Sequence, residues 1–146
     1  MPTVSVIIPV SPSHATLAAE AVASAYAQTV ACEVIVEYDH DETGAAATRN
    51  RALAQATGDF VVPLDADDLL MPHYVETALE RWRPGCYVVT DHVEEFGTDR
   101  RPVVIPDAVN WNAPRAHHYV TALYPRGLLA DGFDQTAVIE DQYLQM

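Results

Sequence analysis

The stretch that decides the fold is GAAATRNRALAQATGDFVVPLDADDLLMP, Gly44 to Pro72. Its first part, GAAATRNRALAQATG, is Ala-rich and reads as a helix stopped by Gly58 at the C′ position. The next part, DFVVPLD, is apolar and β-branched and reads as a buried strand. Directly behind it, Asp65, Asp67 and Asp68 fall within four positions. Carboxylates this close repel one another, and burying them costs more unless something positive joins them. A helix, a buried strand and a charged turn at the strand's carboxyl end form one repeat of an alternating α/β chain.

The same alternation extends on both sides. TVSVIIPV (Thr3 to Val10) predicts a buried strand, and SPSHATLAAEAVASAYAQT predicts a helix with a capped start. CEVIVEYD is a second strand, PHYVETALERWRP a third helix bracketed by prolines, and GCYVVTDHV a fourth strand. Strands alternating with helices imply a mostly parallel sheet covered on both faces. The 146 residues fit one domain, 1–146, with 49% hydrophobic residues to fill its core.

Charge narrows the function classes. The net charge is −13, with eight arginines and no lysine. A Walker lysine and a Schiff-base lysine are therefore excluded, and binding to nucleic acid or anionic lipid is disfavoured. No apolar run is long enough to span a membrane, and the N-terminus lacks a basic leader, so the reading is a soluble cytoplasmic protein. Cys32 and Cys86 stand in no metal-ligand or redox spacing and read as reduced core thiols. Much of the acidity is a solvated surface.

Ligands of parallel sheets bind outside the carboxyl ends of the strands. There the sequence places Pro9, Val10 and Ser11 after strand one. Strand two ends in Asp39, His40, Asp41 and Glu42, strand three in Asp65, Ala66, Asp67 and Asp68, and strand four in Asp91 and His92. The bland alternative, that acidic residues favour loops and helix starts, holds for any single carboxylate better than for the set. The sequence has no GxGxxG after strand one and no GxxxxGK[ST]. A diphosphate could still be held through a divalent cation, and carboxylate oxygens suit Mg²⁺ or Mn²⁺.

With those residues in place, the chain resembles a family 2 glycosyltransferase of the GT-A (Rossmann-like) fold. The matching pieces are VSVIIPV, EVIVEYDHDE, the Gly44–Pro72 stretch with its DxD, and GFDQTAVIED, in the family's order from Thr3 to Asp141. The resemblance implies a nucleotide-sugar-binding half, 1–92, and an acceptor and catalytic-base half, 93–146. It implies that Pro9, Val10 and Ser11 line the base and ribose, and that Asp39 hydrogen-bonds the pyrimidine edge. Gly44, Arg49 and Asn50 would lie by the nucleotide and diphosphate. Asp65 and Asp67 form the DxD around Ala66, with Asp67 nearest the metal and Asp65 nearer the ribose. Asp68 either supports the metal or caps the next helix. Asp141, with Glu140 beside it, would be the catalytic base; its alternative reading is an N-terminal charge on a short helix.

The implied activity is metal-dependent, inverting transfer of a sugar from a nucleoside diphosphate donor, with UDP-sugar favoured, to a hydroxyl acceptor. A nucleotidyltransferase and a nucleotide-sugar-binding module without turnover are the alternatives. His117 and His118 could touch the metal, diphosphate or acceptor, with surface packing as the plainer reading. Trp82 reads as core, and Trp111 as a candidate to stack on a sugar or base. The chain departs from the family at Tyr38-Asp39-His40-Asp41, where Gly-Ser is usual, and at the single Gly132. Pro63 sits inside the third strand, where its missing N–H predicts a local ladder end. The sequence ends five residues after Asp141. The expectation is a short form in which a second copy or a partner completes the acceptor site.

Overall fold

A computed structural model describes residues 1–85, 87–89, 92–94, 102–104 and 121–133. Its centre is a five-stranded sheet in the order β2-β1-β3-β7-β4. These strands are β1 (Val4–Val10), β2 (Glu33–Tyr38), β3 (Phe60–Pro63), β4 (Val88–Val89) and β7 (Ala122–Pro125). A separate two-stranded sheet joins β5 (His92–Glu94) to β6 (Pro102–Val104). The helices are α1 (Ala18–Tyr26), α2 (Ala45–Gln55) and α3 (Tyr74–Arg81). β1 pairs in parallel with both β2 and β3, as the alternation requires.

β1 is buried along its whole length because both faces of the sheet are covered. Side chains alternate across a strand, so Val4, Val6, Ile8 and Val10 enter a core with α1, α3, Phe60, Val62 and Leu64. Ile7 and Val61 enter the opposite core with Ala46 and Ala52 of α2. Trp82 packs into the first core, edge-on to Phe60 at 5.0 Å. Each fully buried aliphatic side chain of this kind contributes about 1.5–3 kcal/mol.

Three sequence expectations change. The first helix does not start at Ser11-Pro12: Pro12–His14 form a 3₁₀ turn, and α1 begins at Ala18. Gly58 is not a left-handed C′ residue. The helix ends at Gln55, with Ala56 extended, and Gly58 is required for close approach. A Cβ there would lie 2.7 Å from Ser5 N and Oγ.

The fourth strand splits into β4 and β5, which join different sheets. It also does not neighbour β3, because β7 lies between them and runs antiparallel to both. Pro63 behaves as a ladder end. Phe60 N donates to Thr3 O, just before β1, and Leu64 N to Ile7 O within it, so by alternation position 63 faces β7, and that ladder stops at Val61.

Candidate active site

The carboxyl ends of β1, β2 and β3 open into a cavity of about 330 Å³, within the size range of small-molecule sites. Pro9, Val10 and Ser11 line it from β1, and Asp65, Ala66 and Asp67 from the turn after β3. Asp39, Gly44, Ala45, Thr48 and Arg49 line it from the loop after β2 and the start of α2, and His14 from the 3₁₀ turn.

Asp39 organises its side of the cavity. It is buried. Its Oδ1 accepts from Thr43 N at 2.8 Å, Thr43 Oγ1 at 2.7 Å and Arg51 Nη2 at 3.4 Å; Oδ2 accepts from Gly44 N at 2.8 Å. These bonds, the Thr43 hydroxyl first, hold its pKa down to about 2 against the opposing effect of burial. A carboxylate offers about four acceptor sites. Oδ1 is therefore filled, and Oδ2 retains capacity for one ligand N–H. The turn that carries Asp39 needs Glu42 at φ 52° and Gly44 at φ 95°. At Gly44 the backbone angle, not space, calls for glycine, since a Cβ there would meet nothing within 4 Å.

On the other side, Arg49 Nη2 donates to Asp65 Oδ1 at 2.7 Å, with the arginine side chain only 3% exposed. Its guanidinium also lies 5.9 Å from the Phe133 ring centroid. Asp67 is half-exposed, and His14 Nε2 lies 3.9 Å from its Oδ2. The turn between them is closed by Asp68 N donating to the Asp65 carbonyl at 3.0 Å.

The end of α1 and the segment after it hold the aspartate loop from outside. Leu70 N donates to Ser24 Oγ at 3.1 Å, Gln28 Nε2 to Met71 O at 2.9 Å, and Thr29 N to Pro72 O at 2.9 Å. Gln28 Oε1 also accepts from Val75 N at 3.0 Å, tying α3 to the same point.

The cavity thus gathers Pro9, Val10, Ser11, Asp39, Gly44, Arg49, Asp65, Ala66 and Asp67. Asp68 and Asn50 do not line it. Asn50 instead clips the segment after β7: Nδ2 donates to Phe133 O at 3.0 Å and Oδ1 accepts from Phe133 N at 2.7 Å. Asp41 and Glu42 are exposed and do not line the cavity, and His40 stacks on Tyr38 at 5.9 Å. Glu140, Asp141, His117, His118, Trp111, Asp91 and Cys86 lie outside the described residues. Burial raises the pKa of the Cys32 thiol, which fits a packing role.

Sequence reasoning missed His14, Thr48 and Gln28. Thr48 had a signal in helical spacing, four residues after Gly44, whose carbonyl accepts its hydroxyl at 2.8 Å. The sequence predicts a helix across His14, whereas the 3₁₀ turn Pro12–His14 places it at the strand end.

Among the described residues, no three His, Cys, Asp or Glu side chains converge on one metal position. Asp67 nevertheless presents a carboxylate toward the cavity while Arg49 occupies one oxygen of Asp65. This donor set fits a hard cation that arrives with a diphosphate and takes its remaining ligands from phosphate oxygens and water.

The family model for glycosyl transferase family 2 matches residues 13–138. The chain belongs to glycosyl transferase family 2. No curated protein sequence matches it. Among solved structures, it is similar to S. aureus TarS 1-349 in complex with UDP. Identity there is 20% over 97% of this chain and 53% of that one, with a TM-score of 0.66. The TarS 1-349 complex with UDP-GlcNAc gives 21% identity over 97% and 52%, with a TM-score of 0.65. The mannosyltransferase PcManGT from Pyrobaculum calidifontis, in complex with GDP-Man and Mn2+, gives 21% identity over 98% and 50%, with a TM-score of 0.68. At these identities the likeness is one of fold. The chain spans about half the length of these three structures. Among the described residues no helix is long and apolar enough to cross a membrane.

Proposed function

We propose that the chain transfers a sugar from a nucleoside diphosphate donor, with UDP-sugar favoured, to a hydroxyl acceptor, inverting the anomeric carbon. The observation that carries this reading is the pairing, in one cavity, of the ionised, buried Asp39 with the Asp65–Asp67 turn. Asp39 Oδ2 has capacity for a pyrimidine N–H. Pro9 and Val10 offer an apolar wall at the end of β1 for a base, and Ser11 a hydroxyl. Arg49 holds Asp65 in place and adds positive charge beside the position proposed for the diphosphate. Asp67 is the carboxylate proposed to hold Mg²⁺ or Mn²⁺, with Asp68 as a nearby supporting charge. The cation, when bound, stabilises negative charge on the leaving diphosphate.

Asp141 is proposed to accept the acceptor's proton as attack proceeds, with Glu140 beside it. That role rests on the family resemblance of GFDQTAVIED. The soluble, cytoplasmic location belongs to the same proposal. The test is release of UDP from UDP-sugars by the chain with Mn²⁺ present, by transfer or by hydrolysis. Asp141→Asn should leave UDP affinity nearly intact and slow transfer by about 10²–10⁴-fold. Transfer that survives this substitution removes Asp141 from the mechanism. A chain that binds UDP-sugar and releases no UDP with any acceptor is a binding module.

A further inference from the structure

The 3₁₀ turn after β1 brings a histidine to the aspartate turn after β3. Its Nε2 lies 3.9 Å from Asp67 Oδ2, and the two side chains are 44% and 50% exposed at the cavity. A direct N–H···O bond spans about 2.7–3.2 Å, so the pair is not hydrogen-bonded. Neighbouring ligands on one octahedral cation, at bond lengths of about 2.1 Å, lie about 3 Å apart. Both side chains are exposed enough to turn by the roughly 1 Å that would let Nε2 and Oδ2 take such positions on one ion.

The other face of the ring supports this. His14 Nδ1 lies 3.1 Å from Ser11 Oγ, which in turn lies 2.9 Å from Ser13 Oγ. A ligating histidine ordinarily donates its second ring N–H to a neighbouring acceptor, which fixes the tautomer. Ser11 Oγ is placed to accept that proton and to pass its own to Ser13. The lone pair of Nε2 is then directed toward Asp67. Asp65 contributes less to the same ion, because Arg49 holds one of its oxygens.

We propose that His14 is a metal ligand, joining Asp67 through Nε2 to form a mixed imidazole–carboxylate site completed by the donor's diphosphate. This deepens the proposed function and rests on it. An imidazole nitrogen binds a first-row transition ion better than it binds Mg²⁺, so of the two ions proposed for this site Mn²⁺ should bind the more tightly.

The test is pulsed electron paramagnetic resonance of Mn²⁺ with UDP, or with GDP where UDP does not bind, beside titration calorimetry of the same mixtures. The wild type should show hyperfine coupling from a directly bound imidazole nitrogen. His14→Ala and His14→Asn should lose that coupling. Their affinity for UDP should fall at least about 10-fold with Mn²⁺ and much less with Mg²⁺. Circular dichroism identifies a variant that has failed to fold, and the second variant then carries the comparison. Tight Mn²⁺·UDP binding by the wild type without nitrogen coupling overturns the ligand role and leaves the donor reading standing. So does coupling that persists in both variants. Failure of the wild type to bind either nucleotide with Mn²⁺ overturns the donor reading and this inference together.

Discussion

Replacing Asn50 with alanine separates a structural role from a ligand-binding one. The family resemblance places Asn50 by the nucleotide, whereas the structure commits both polar atoms of its side chain to the backbone of Phe133, at 3.0 Å and 2.7 Å. Each such bond contributes a net 0.5–1.5 kcal/mol or about that, and an unsatisfied buried partner costs about 1–3 kcal/mol. Phe133 is only 3% exposed, so its backbone groups gain little water when the clip is removed. The two bonds together predict a loss of about 2–3 kcal/mol. At about 2–4 °C per kcal/mol for a chain of this size, Tm falls by about 4–12 °C.

Urea denaturation should show a lower midpoint with an unchanged slope. Gly132→Ala strikes the same clip, because its φ is +73° and a Cβ would lie 2.7 Å from Asn50 Oδ1. The two substitutions should therefore be less than additive, since alanine at position 50 removes the collision and leaves only the backbone strain. UDP affinity of Asn50→Ala should change far less than its stability. A variant as stable as the wild type that loses UDP binding refutes this reasoning and returns Asn50 to the nucleotide.

Two further outcomes follow from the same geometry. Gly58→Ala should lose about 1–3 kcal/mol in urea denaturation, because the new methyl would meet backbone atoms, Ser5 N at 2.7 Å and Phe60 O at 2.9 Å, that cannot swing aside; wild-type stability would show that the sheet end yields. Asp39 has a folded pKa depressed to about 2, so its stabilisation is complete above the unfolded carboxylate value of about 3.9 and is lost as pH falls toward 2. Asp39→Asn should therefore flatten the fall of Tm between pH 4 and pH 2, and should weaken UDP at neutral pH; an unchanged acid limb, or an unchanged UDP affinity, contradicts the assignment on which it bears.

The layers of the fold were legible because they rest on local pattern. β1, β2 and β3 are apolar runs closed by charged or turn-forming residues, α2 and α3 fall within their predicted segments, and the parallel pairing follows from the alternation. β7 was not legible as a sheet member. Ala122–Pro125 is four residues long, and nothing local in it states that it will separate β3 from β4. The same limit split the fourth strand, since pairing partners are chosen at long range.

At the site, Asp39, Asp65 and Asp67 could be located because the carboxyl ends of strands are where such sheets bind ligands. The position of His14 could not, because it depends on α1 starting at Ala18 and leaving the preceding residues to fold back as a 3₁₀ turn. The local sequence predicts Gly58 as a helix stop, while its actual constraint is the neighbouring backbone at Ser5. Gln28 gave no motif at all; its importance comes from three backbone partners, two of them more than forty residues away in sequence.

The proposed function requires the cavity to bind a nucleoside diphosphate through a divalent cation on the Asp65–Asp67 turn. Titration calorimetry of UDP and GDP against the wild type and Asp67→Ala, with Mn²⁺ and with chelator, tests it most directly. At least one nucleotide should bind the wild type, more tightly with Mn²⁺ than with chelator, and Asp67→Ala should abolish the difference. Equal affinity with metal and with chelator, or a metal dependence that survives Asp67→Ala, would contradict it.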